Sequence, residues 1–153
     1  MRWRISGTTA ASAATDQHAI AAMWNPSSTK AFRIYEIAVV AFAAPGAGAG
    51  FLVRRSTTRG TEGSSVTLAA VHDLERGSTA PQSGGILGLA AYTGQPTLTT
   101  GELFGWVFAA VTASGIILPF PEGIEVGPGA GLVLVNRAAI AFPTSEVSFA
   151  GEE

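Results

Sequence analysis

The chain has 153 residues, a net charge of −2 and no cysteine. That length suits one domain, which hides roughly 70% of its unfolded surface on folding. The missing thiols exclude disulfides, thiolate metal sites and a cysteine nucleophile. Charged residues, at 13%, stand at about half the usual share.

So little charge leaves a free surface poorly solvated, which points to a surface normally covered by other subunits. Residues 1–76 hold eight Lys/Arg against five Asp/Glu, and residues 77–153 one Arg against six Glu. Neither half has the clustered basic excess of a nucleic-acid footprint, so no nucleic-acid partner is expected. Met1-Arg2-Trp3-Arg4 is basic, but no apolar core follows it and no signal peptide is expected.

Helical periodicity is nearly absent, and β-branched and aromatic runs alternate with Gly, Pro, Asn and Ser. In chain order, Trp3–Ser12 opens as a strand and His18–Trp24 follows. Asn25-Pro26-Ser-Ser-Thr29 then predicts a turn. Ala31–Ala43 is the longest strand, with Phe32, Ile34 and to some extent Glu36 on one face and Arg33, Tyr35 and Ile37 on the other. From Ala38 onward both its faces are apolar, so that half is expected to be buried on both sides. Pro45–Gly50 is a loop, Phe51–Ser56 a strand, Thr57–Ser65 a polar loop and Val66–Val71 a short strand. A long Gly/Ser/Pro-rich loop covers 72–85, a length that goes with function or mobility.

Short strands are expected at Ile86–Tyr92, Pro96–Thr99, Leu103–Thr112, Ile116–Phe120 and Ile124–Val126. Gly127-Pro-Gly-Ala-Gly131 predicts a tight reversal, read here as a late hairpin. Leu132–Asn136, Ala138–Phe142 and Ser145–Phe149 complete the set, the last crossing to the opposite sheet. The whole predicts an all-β fold: one antiparallel, jelly-roll-like β-sandwich domain over 1–153, with about four strands in each sheet. Leu103–Pro121 carries no charge over 19 residues and is long enough to span a bilayer. Gly105, Thr112, Ser114, Gly115 and Pro119 interrupt it, and acidic Glu102 and Glu122 flank it. Two buried strands are expected there, and no membrane partner.

Candidate chemistry is sparse. Both glycine-rich stretches run into strands rather than a helix, so they are turns and not phosphate cradles. The two histidines, His18 and His72, are too few for a cupin-type metal site. No G-x-S-x-G elbow occurs, and Glu122 and Glu125, three apart on a strand, point to opposite faces. No catalytic, cofactor or metal residue is expected. Arg54, Arg55 and Arg59 form the one basic cluster. They are candidate interface residues for an acidic neighbour, because the guanidinium fork pairs bidentately with carboxylates; the alternative is a solvated strand end and loop. Trp3, Trp24 and Trp106 are expected to pack in the core.

The order WNPSSTKAFRIYEI, then RRSTTRGT, an His-Asp loop, and a late Gly-Pro-Gly turn into LVL resembles jelly-roll cement or decoration proteins of tailed bacteriophages. Such proteins sit on the capsid lattice, typically as trimers. The resemblance implies a non-enzymatic virion structural protein at the capsid surface, with no cofactor. It implies the major capsid protein and the chain itself, as a homotrimer, as partners. Residues 1–16 and 143–153 are candidate arms. The competing expectation is a glycan- or receptor-binding jelly-roll module of a phage fibre or tail, recognising its ligand through loops 57–65 and 72–85.

Overall fold

The computed structural model describes residues 2–68, 84–89, 92–110 and 113–153. Its strands are β1 (Arg2–Thr9), β2 (Ala19–Trp24), β3 (Phe32–Ala41), β4 (Gly50–Ser56), β5 (Ser64–Thr67), β6 (Ile86–Leu89), β7 (Phe104–Val107), β8 (Gly115–Val126), β9 (Gly131–Asn136) and β10 (Ser145–Glu152). Sheet A has the order β1-β10-β3-β8, and sheet B the order β5-β6-β2-β9-β4-β7.

Four antiparallel pairs define the topology: β1 with β10, β2 with β9, β3 with β8 and β4 with β7. The chain is therefore one long hairpin rolled up so that alternate pairs fall in opposite sheets, which is a jelly roll. Between β4 and β7 an extra pair, β5 with β6, widens sheet B beyond β2. Sheet B thus has six strands rather than about four.

The core follows from alternation. Trp3 and Ile5 of β1, Phe32, Ile34, Ile37 and Val39 of β3, and Val147 and Phe149 of β10 face inward and are buried. They meet Met23, Phe51, Val53, Leu87, Leu132 and Leu134 from sheet B in one cluster. β2 and β9 read as unbroken apolar runs because both their faces are covered. On the outer face of sheet B, Ala22, Leu52, Val133 and Val135 lie under Tyr92 and Leu98 in a second cluster.

Several expectations shift. The Gly127–Ala130 reversal is a crossover and not a hairpin, since β8 pairs with β3 and β9 with β2 and β4. Ile124–Val126 belongs to β8 and is not a separate strand. Residues 137–140 form bends and 141–143 are irregular, so no strand forms there: Ile140 packs against the loop at Gly46 and Gly48, while Phe142 plugs the core against Phe51 and Phe108. Pro96–Thr99 makes only an isolated bridge, Leu98 to Ser56. The second half of β3 is not buried on both sides, because Val40 is 46% exposed. The segments 1–16 and 143–153 are tied in through β1 and β10, the latter lying between β1 and β3. Residues 69–83, most of the long loop and including His72, lie outside the described residues.

Candidate functional site

The turn after Trp24 is built around one side chain. Asn25 is fully buried. Its Nδ2 donates to Lys30 O at 2.8 Å and Val126 O at 3.0 Å, and its Oδ1 accepts from Ser27 N–H at 3.1 Å. Its own backbone joins the crossover, through Asn25 N–H to Ala130 O at 2.9 Å and Gly129 N–H to Asn25 O at 3.0 Å. The stretch is a structural knot that fastens the β2–β3 turn to the β8–β9 crossover, not the lip of a site.

The three clustered arginines are likewise engaged within the chain. Arg54 donates to Gly101 O at 3.3 Å, to Thr99 O and to Gln17 Oε1, so it clasps two loops. Arg55 Nη1 donates to Glu125 O at 2.5 Å. Arg59 pairs with Glu62, whose carboxylate sits near the Tyr92 hydroxyl at Gly88. His18 lies against Gln95, with Nε2 at 3.0 Å from Gln95 Nε2. Among the described residues no group of three His, Asp or Glu is placed to hold a metal.

Two surface features remain, one on sheet A and one where the β7 and β8 edges meet. At one end the ladder brings charges into register. Arg33 faces Glu125 at 3.5 Å, Arg4 reaches Glu36 at 2.5 Å and Arg2 lies 3.8 Å from Glu152. The Tyr35 hydroxyl donates to Glu152 Oε1 at 2.6 Å. That bond, with desolvation and the nearby negative charge, raises the Tyr35 pKa above its ordinary value. An open depression of about 410 Å³ lies here, lined by Trp3, Tyr35, Glu36 and Glu152 among others. Exposed pairs of this kind contribute about 0–1 kcal/mol each, so they shape the surface more than they stabilise it.

The other end is apolar. Among the described residues, the exposed large hydrophobics are Val40, Phe42, Leu103, Trp106, Val107 and Ile117. All six lie on or beside β7, β8 and the end of β3, where each sheet has a free edge. Between the two edges Phe104 and Phe120 meet edge to face, with centroids 6.4 Å apart, and close the mouth of the sandwich. Trp106 is 40% exposed, whereas the core was the expectation for it, and Trp3 is fully buried. The described residues of the uncharged run 103–121 form β7 and the start of β8, and among the described residues no helix is long and apolar enough to cross a membrane. The opposite side of the sandwich differs. There β6 folds over β1, with Leu89 Cδ1 2.4 Å from where a side chain on Gly7 would begin.

Comparison with known proteins returns no matching family, no matching curated protein and no matching solved structure. The signal for the apolar edge was present in the sequence as the uncharged segments 37–53 and 103–121. Which of their residues face solvent depended on the sheet order.

Proposed function

We propose that the protein is a non-enzymatic structural subunit that works by covering surface, and specifically a capsid cement or decoration protein of a tailed bacteriophage. In this reading it forms homotrimers on the virion surface and bridges neighbouring major capsid subunits, with Arg54 and Arg55 of β4 in sheet B, and Arg59 after it, as candidate contacts. The carrying observation is the collection of six large apolar side chains on one side of a charge-poor jelly roll, a patch of the kind that marks association. Modest contacts at each subunit would sum through avidity.

The test is binding to decoration-free heads of the encoding virus, read by co-sedimentation and particle imaging. Saturable occupancy at repeating lattice points is expected. Heads that stay bare at saturating protein would end this reading. The second reading, a glycan- or receptor-binding module, draws on the depression beside Tyr35, where an aromatic ring, carboxylates and arginines converge. A glycan array that shows a hit lost in Tyr35→Ala would favour it.

A further inference from the structure

The free edge of sheet A carries a pattern that fits a second copy of itself. Ala41 N–H donates to Ser114 O at 2.8 Å, and the register pairs Val39 with Ile116 and Ile37 with Leu118. In an antiparallel ladder those residues turn both N–H and C=O toward β3. Gly115, Ile117 and Pro119 therefore turn theirs toward the open side. Gly115 and Ile117 offer a donor and an acceptor each, whereas Pro119 has no N–H to offer. Beyond it, residues 120–123 bulge out of the ladder, since Ile34 pairs with Ile124 but Glu36 with Pro119. The edge is thus open to strand addition only over a short stretch around Ile116.

We propose that two copies pair antiparallel along β8 about a two-fold axis at Ile116, joining two A sheets into one of eight strands. Gly115 then stands opposite Ile117 of the second copy, and the two positions exchange four backbone hydrogen bonds. The side chains are complementary in the same register. Gly115 leaves Val40 open toward the edge, with Val40 Cγ2 3.0 Å from where a Cβ would lie. Ile117, 63% exposed, passes over the second copy's Gly115 onto that valine. In the next row Pro119 comes beside Ala113 and toward Phe42.

Charge and area support a copy as the occupant. Residues 37–53 and 103–121 contain no Asp, Glu, Lys or Arg, so pairing buries no unmatched charge, and the lysines that usually blunt an edge strand are absent. With about 200 Å² for each large side chain, covering the three on or beside β3 and β8, Val40, Phe42 and Ile117, would remove on the order of 300 Å² of apolar surface per copy. A standard stable interface takes about 800 Å² per partner, and the paired backbone with exposed Ala43, Ala44 and Ala109 adds to the total. The contact is isologous, so it closes after two copies.

The inference stands apart from what the protein decorates: trimers joined at this two-fold would be hexamers. The test is sedimentation equilibrium of the full chain with amide hydrogen exchange on the same sample. The expected mass is that of a dimer or a hexamer, with slow exchange at the Gly115 and Ile117 amides. Ile117→Lys should halve that mass and release both amides, with the circular dichroism spectrum unchanged. Ser6→Lys, on the same face of sheet A at its far edge, should do neither. If Ile117→Lys fails to fold, Ile117→Thr, which keeps the β-branched shape, takes its place with the same expectation. A monomer at the highest soluble concentration, a trimer, fast exchange at both amides, or a mass unmoved by the Ile117 variant would each overturn the proposal.

Discussion

Asn25 donates to two carbonyls, those of Lys30 and Val126. Asn25→Ala removes a donor from the buried Val126 bond and from the part-buried Lys30 bond, which costs about 2 kcal/mol. Asn25→Asp is expected to cost more at neutral pH, because a carboxylate would face two carbonyl oxygens. Urea unfolding of the two variants checks this; an alanine variant as stable as the parent would contradict it. The two tyrosines set a second residue-scale expectation. Burial, then the negative charge of Glu62, push the Tyr92 pKa well up, against a smaller opposing effect from Arg59. Tyr35 is raised by its bond to Glu152. A group raised in the folded state favours folding in its neutral form. Its contribution is full below the unfolded tyrosine value, about pH 10, and is lost as pH climbs through and above that value. Absorbance at 295 nm should therefore rise in two parts, Tyr35 ionising above the ordinary value in the folded protein and Tyr92 only when alkaline unfolding occurs. Tyr92 ionising at the ordinary pH in a protein that keeps its circular dichroism would contradict the burial argument.

At the scale of elements, legibility tracked whether a strand's two faces differ. The start of β3 was legible from FRIYEI, and Phe32 and Ile34 do lie in the core; Ile37, assigned to the opposite face, is buried with them, because an irregularity between Ile34 and Glu36 shifts the alternation by one residue. β2 and β9 gave no such contrast, because each is sandwiched between the core and a loop lid. Their position at the centre of sheet B came only with the pairing. The Gly-Pro-Gly reversal was legible as a turn, since Gly129 holds φ at 63°. Its partners were not legible, because a tight turn looks the same whether the next strand pairs locally or crosses to the other sheet. The segment 138–142 shows the converse case: AAIAF mimics a strand, but its apolar residues serve a loop and a plug. The bulge at 120–123 was hidden too. It rests on Gly123 at φ 70°, packed 2.9 Å from the Tyr35 ring at the point where a Cβ would sit. Neither the prolines nor the glycine there names a ladder partner. The arginine cluster was legible as a cluster, while its intrachain bonds to Gly101, Glu125 and Glu62 required loops far apart in sequence.

For the whole molecule, the two chain ends decide how sheet A is held. β1 pairs with β10 along its full length, from Arg2 with Glu152 to Thr9 with Ser145, and β10 in turn pairs with β3. The N-terminal strand contributes Trp3 and Ile5, both buried to within 1%, and Trp3 meets Phe32 edge to face at 5.5 Å. Losing a buried tryptophan costs about 3–5 kcal/mol and a buried isoleucine about 2–5 kcal/mol. Domains of this size are stable by about 5–15 kcal/mol in total. Removing residues 1–12 also bares the inner edge of β10 and the Leu89 side of β6. The truncated chain is therefore expected to lose its cooperative thermal transition, which differs from what a free arm would allow. A truncated protein that melts sharply within a few degrees of the parent would mean that sheet A closes without β1. In that case any loss of partner binding on truncation would report a contact made by the N-terminal segment itself. If the transition is lost, binding defects of such a truncation report folding, and point substitutions at exposed positions such as Arg4 and Ser6 are the variants that separate attachment from stability.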